Sequence, residues 1–130
     1  MLSLSFIKEI EKIIGRENVL TGEADRQNYA YDAAVLPPVV PGLVVRPTRT
    51  DQLGPLIQKC YEEGIPITIR GSGTNLSGGT IPDSTAAVIL LTNSLDRIHE
   101  ITEEELYAVV ATGVIPRDLA DAVAARWLFY

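Results

Sequence analysis

The sequence predicts an α+β fold: a strand, a helix and a parallel strand, then a further strand and a hairpin, with helices flanking the set. Three observations predict it. Short apolar runs at 43–45 and 65–69 are separated by Leu53, Leu56, Ile57, Cys60 and Tyr61 at helical spacing, the pattern of a right-handed βαβ unit. The run Ala87-Val88-Ile89-Leu90-Leu91 is continuously apolar, as a strand covered on both faces is. Runs at 98–101 and 106–111 flank Glu103-Glu104-Glu105 and read as a hairpin with a solvated turn.

The elements follow in order. Residues 5–14 place Phe6, Ile7, Ile10, Ile13 and Ile14 on one helical face, and Gly15 is positioned to close it. A second short helix is expected over 21–29 with Thr21 as its cap. Residues 36–42 carry Pro37, Pro38 and Pro41 and form an extended connector. Pro47 stops the first strand, Thr48 or Thr50 caps the following helix, Pro55 blurs its first turn and Gly64 ends it. A last helix covers 117–125 with Leu119, Ala122 and Val123 inward, before the aromatic tail Trp127-Leu128-Phe129-Tyr130.

Composition narrows the function. With 130 residues, 46% apolar and 22% charged, the chain is one domain with a real core. A net charge of −6 argues against nucleic acid, which needs a basic face. It leaves room for a nucleotide cofactor held by backbone N–H groups. Cys60 is the single cysteine, so no disulfide framework or cysteine metal cluster is expected, and it reads as a small apolar residue on a helix face. His99, the single histidine, reads as a partly exposed structural residue. The acidic run reads as a wet turn rather than a cation site. No leader pattern and no run of ~20 apolar residues is present, so no transmembrane segment and a cytoplasmic location are expected.

The chemistry concentrates in Arg70-Gly71-Ser72-Gly73-Thr74-Asn75-Leu76-Ser77-Gly78-Gly79. Four glycines in nine residues directly after a strand cost backbone entropy without adding packing. Consecutive N–H groups in such a loop form an anion nest. Ser72, Thr74, Asn75 and Ser77 add donors, Arg70 adds a charge, and Leu76 is expected to anchor the loop inside. A flexible surface loop uses the same residue types; the position after a buried strand favours the anion cradle. A Rossmann fingerprint fails because its third glycine falls on Leu76 and no helix follows before Pro82. A triphosphatase loop fails because Gly79 stands where the lysine is needed.

The ten-residue loop resembles the diphosphate loop of the PCMH-type FAD-binding domain, shared by the vanillyl-alcohol oxidase and p-cresol methylhydroxylase superfamily. The likeness is greatest to the branch of glycolate oxidase and D-lactate dehydrogenase. Glu17-Asn18-Val19, Tyr29-Ala30-Tyr31-Asp32, Val44-Val45-Arg46-Pro47 and Gly64-Ile65-Pro66-Ile67 are similar to that branch as well, so the resemblance covers most of the chain. It implies that residues 1–41 are a helical extension and Pro-rich connector. Residues 42–130 would be the first subdomain of the FAD domain, truncated at its C-terminal side.

The resemblance also implies roles. Gly71, Ser72, Gly73, Thr74 and Asn75 would wrap the FAD pyrophosphate, Ser77 and Gly78 would continue toward the flavin, and Arg70 would brace the loop. Pro47 would lie near the cofactor edge. Members that attach FAD covalently from this loop use a histidine where this chain has Thr74, so dissociable, non-covalent FAD is expected. Trp127 stands where the family has a glycine. No catalytic residue and no metal ligand is assigned.

The parent would be a flavin-dependent oxidoreductase of a small D-2-hydroxy acid such as glycolate or D-lactate. Substrate would bind through a further domain, and a separate electron-acceptor subunit is an expected partner. The competing readings are a non-catalytic piece with weak or no FAD binding, and another superfamily member such as an alkyl-glycerone-phosphate synthase or a cell-wall sugar reductase.

Overall fold

The computed structural model describes residues 2–130. Helix α1 (Leu4–Ile14) starts where Ser3 Oγ accepts from the Phe6 N–H at 3.1 Å, satisfying one of the unpaired donors of the first turn. Gly15, at φ 87°, closes it. Phe6, Ile10 and Ile14 are buried at the expected helical spacing. Strand β1 (Val19–Leu20) follows, and then α2 (Glu23–Gln27). The second helix is shorter than 21–29, and Gly22 rather than Thr21 stands at its cap.

Four strands make the main sheet: β1, β2 (Leu43–Val45), β3 (Ile67–Arg70) and β4 (Val88–Leu91). The order is β1-β2-β4-β3, with β1 antiparallel to β2 and the other pairs parallel. The βαβ crossover therefore skips a position. Helix α3 (Leu53–Glu62) joins β2 to β3, and the fully buried β4 enters between them. Alternation then divides the strands between two faces. Leu43, Val45, Val88 and Leu90 meet α1 and α3, while Val44, Ile89 and Leu91 pack with Leu20 and Tyr29 on the other.

Helix α3 opens differently from the expectation. A 3-10 turn over Thr50–Gln52 precedes it, and Gln52 Oε1 accepts from the N–H groups of Thr48 and Arg49 at 2.9 and 3.1 Å. Neither threonine is the cap; the longer glutamine side chain reaches back and does that work. The buried stripe is also narrower than the apolar one. Leu56 and Cys60 are buried, whereas Ile57 and Tyr61 are 45% and 81% exposed. One helix lying on a flat sheet covers only a strip of its surface, and these two residues lie beyond it. Lys59 ties α3 to α1, reaching Glu9 at 2.7 Å and Glu63 at 3.0 Å.

The C-terminal part is a hairpin, β5 (Ile98–Thr102) with β6 (Tyr107–Val110), followed by α4 (Pro116–Ala124). His99 is the extra residue of a bulge between Ile98 and Glu100, and it is exposed. Leu119 and Val123 of α4 are buried. The helix closes by bonds from the Leu128 N–H to Val123 O at 3.1 Å and from the Trp127 N–H to Ala124 O at 3.0 Å. That pair is a Schellman motif, and Trp127 takes its left-handed position at φ 61°. No helix among the described residues is long and apolar enough to cross a membrane.

Candidate diphosphate site

The parallel strands β2, β3 and β4 end on one edge of the sheet, and the glycine loop leaves that edge directly from Arg70 at the end of β3. In parallel sheets the carboxyl ends of the strands are where ligands are met. Among the described residues, no backbone N–H from 71 to 79 has a protein acceptor. Gly71, Ser72, Thr74, Ser77 and Gly79 are exposed. Clustered free donors on an open, left-turning backbone are what an anion nest requires.

The glycines divide into two pairs. Gly73 and Gly78 have φ of 71° and 74°, and a Cβ on them would collide with the Arg70 guanidinium and the Leu36 side chain respectively. The fold itself demands those two. Gly71 and Gly79 do not take positive φ, and a Cβ would come no nearer than 3.9 and 3.7 Å to any neighbour. Nothing within the chain requires glycine there. Space kept open beside free N–H groups is what a closely approaching diphosphate would occupy.

Arg70 is buried and does not reach outward. Its Nη1 donates to Tyr31 O at 2.7 Å and lies 3.3 Å from Thr80 Oγ1, and its guanidinium carbon sits 5.7 Å from the Tyr29 ring centroid. Asn75 is engaged as well: its Nδ2 donates to Asp32 Oδ2 at 2.7 Å, and Thr80 Oγ1 lies 3.1 Å from the same oxygen. Asp32 Oδ1 accepts from the Ala34 N–H at 2.8 Å. Burial alone would raise the Asp32 carboxyl, but the donors from Ala34, Asn75 and Thr80 outweigh it and hold the group below its ordinary range.

The structure thus brings Arg70, Gly71, Ser72, Gly73, Thr74, Asn75, Ser77 and Gly78 into one loop, with the hydroxyls of Ser72, Thr74 and Ser77 outside the Asp32 network. Pro47 is fully buried at the end of β2, so its ring is not part of the loop surface. Leu76 corrects an expectation: it is 81% exposed and anchors nothing inside the chain. The loop is instead anchored from outside, by Asp32, Tyr31 and Leu36. Sequence reasoning misses Asp32 as a site residue because it is 43 residues from Asn75; its one signal is its place in Tyr29-Ala30-Tyr31-Asp32. A separate cavity of about 600 Å³ lies between β6 and α4, lined by residues such as Leu106, Val110, Leu119 and Trp127 and by none of the loop.

Residues 41–130 match the family model described as FAD binding domain. The chain belongs to the FAD-binding domain family. This FAD-binding domain is 38% identical over its whole length to the glycolate oxidase subunit GlcD of Bacillus subtilis, and covers 27% of that protein. It is 28% identical, over 98% of its length, to a D-lactate dehydrogenase of Archaeoglobus fulgidus and covers 28% of it. Among solved structures, the fold superposes on p-cresol methylhydroxylase with a TM-score of 0.84 at 24% identity, covering 95% of this chain and 25% of that one. 4-ethylphenol oxidase from Gulosibacter chungangensis gives a TM-score of 0.84 at 30% identity, over 95% of this chain and 24% of that one. The α+β, PCMH-type fold and the cofactor FAD stand as expected. The chain spans about a quarter of the length of the relatives it matches.

Proposed function

We propose that this chain supplies the pyrophosphate-binding part of a flavin-dependent oxidoreductase that acts on a small D-2-hydroxy acid of the glycolate or D-lactate type. The observation that carries the diphosphate role is the coincidence at one place of unpaired N–H groups and of two glycines, Gly71 and Gly79, that the chain's own packing does not need. The substrate class is supported by the likeness to GlcD and D-lactate dehydrogenase.

The backbone N–H groups of Gly71 to Asn75, with the Ser72 and Thr74 hydroxyls, would hold the pyrophosphate oxygens, and Ser77 and Gly78 would extend that contact. The loop's ties to Tyr31 and Asp32 would limit the ordering entropy lost on binding. Arg70 holds the loop by its bond to Tyr31 O and leaves the anion to the backbone. Thr74 has no nucleophilic ring nitrogen, so the cofactor is held without a covalent bond from this position. FAD, when bound, supplies the acceptor for a hydride from the substrate carbon. This chain's residues bind and orient it. The hydroxy acid would be held outside residues 2–130, and a separate acceptor subunit would take the electrons.

Two measurements test the reading. FAD fluorescence should be quenched on titration with this chain, with sub-micromolar affinity, and flavin from the purified holoprotein should be released intact by acid. Failure of the chain to quench, or flavin that stays on the precipitated protein, would refute the binding and the non-covalent attachment respectively.

A further inference from the structure

Beyond its junction with β3, where the Thr92 hydroxyl bonds Arg70 O at 3.4 Å, the glycine loop is held chiefly by residues 29–36. This segment lies before the stretch 41–130 that matches the family model. Tyr29 underlies the Arg70 guanidinium, Tyr31 O accepts its hydrogen bond, Asp32 receives Asn75 and Thr80, and Leu36 presses on Gly78. We propose that residues 29–36 form a strap that sets the conformation of the diphosphate loop, with Asp32 as its positioning residue.

A loop this rich in glycine has the largest conformational entropy to lose, and little of its own bonding to offset the loss. Internally it has the Ile81 N–H bond to Gly78 O at 3.1 Å and the Thr80–Asn75 contact at 3.0 Å. A carboxylate contributes most here because it is a pure acceptor with room for several donors, and bonds to a charged acceptor are the strong ones. It takes Ala34 from its own segment and Asn75 and Thr80 from the loop, so one group joins the two.

A negative charge beside a diphosphate site has no value for the anion itself. Its position is explained by the donors it orients. With Asn75 and Thr80 turned toward the strap, the free N–H groups of 71–74 remain for the ligand. Asp32 acts through Asn75 and Thr80, which makes it a positioning residue. The strap stands on the geometry of the chain alone; its effect on affinity rests on the proposed FAD binding.

The test compares 15N relaxation and FAD titration for the full chain and three variants. The parent loop should be rigid, with order parameters near the ~0.85 of fixed backbone, and Asp32→Ala should bring residues 73–80 below ~0.6. Strands β3 and β4 should keep their values in the same spectra. FAD affinity should fall about tenfold, the effect of losing roughly 1.4 kcal/mol of ordering. Asp32→Asn, which preserves shape, gives the same comparison with a smaller loss should alanine loosen the sheet.

The exchange Asp32→Asn with Asn75→Asp restores a donor and a carboxylate with their places reversed. Loop order should return, while FAD affinity stays low because the charge now lies on the loop. A mobile loop in the parent, an unchanged loop in Asp32→Ala, or no recovery of order in the exchange variant would each overturn the strap. Absence of FAD binding by the parent would count against the cofactor reading, and the relaxation data would still decide the strap.

Discussion

The Arg70 guanidinium occupies the space a side chain on Gly73 would need. The two residues are therefore one device: the loop turns back at positive φ so that the arginine can pass beneath it and reach Tyr31 O at 2.7 Å. Gly73→Ala should disturb both parts. Left-handed backbone at alanine costs about 1–2 kcal/mol, and displacing a hydrogen bond from a charged donor costs about 1.5–3 more. A loss of roughly 2.5–5 kcal/mol is expected in urea unfolding, with FAD binding abolished. Arg70→Ala combined with Gly73→Ala should cost less than the sum of the single changes, because they remove one shared arrangement.

Gly71 gives the opposite case. Gly71→Ala has open space and no positive φ to violate, so stability should stay within about 0.5 kcal/mol of the parent. FAD affinity should nevertheless fall by an order of magnitude or more, since the methyl enters the space reserved for the diphosphate. An alanine that leaves binding unchanged would show that the ligand does not approach there.

What the amino-acid pattern reveals of this molecule depends on the range of the interaction. Helix α1 follows from a local period, strand β4 and the hairpin from short apolar runs, and the diphosphate loop from its glycines. β1 escapes such a reading because two residues, Val19 and Leu20, carry no period; they pair only because β2 lies beside them. The outward turn of Ile57 and Tyr61 is hidden because spacing defines an apolar face without saying how wide a strip the sheet covers. Hydrophobicity alone assigns Leu76 inward, yet the loop is held by polar contacts. Asp32 depends on a pairing across 43 residues, which no local pattern encodes.

Asp32 also predicts a pH dependence. Its folded carboxyl lies below the ordinary 3.8, so between the two values the unfolded chain binds more protons than the folded one. Stability then rises with pH through that window. The contribution is complete above the ordinary value and is lost as pH falls through the lower folded one. Unfolding of the parent followed across the acid range should show this slope, and Asp32→Asn should reduce it. The Asn75 side-chain amide signals should shift in the same range, because their acceptor is being protonated.

Cys60 should be silent toward thiol reagents. It is fully buried on α3, and burial pushes its thiol up to about 11. At about pH 8 an ordinary exposed cysteine carries a substantial thiolate fraction, whereas this one carries almost none. A disulfide-exchange reagent should therefore leave the native chain unlabelled and titrate one thiol once guanidinium unfolds it. Rapid labelling without denaturant would mean that α3 opens away from the sheet.

The end of α4 gives the cleanest stability prediction. Trp127 holds a left-handed conformation at φ 61° as the closing residue of the Schellman bonds, and its side chain is 98% exposed. It therefore bears the cost of that backbone, about 1–2 kcal/mol, and recovers almost nothing by packing. Trp127→Gly removes the strain, while the added freedom of the unfolded chain returns about 0.4–1 kcal/mol of the gain. A net stabilisation of roughly 0.5–1 kcal/mol is expected, read as a higher urea midpoint with an unchanged slope. Trp127→Ala separates the causes, because alanine keeps the Cβ and so the strain. Alanine should leave the midpoint where it was; an equal rise in both variants would trace the effect to the exposed indole and not to the backbone.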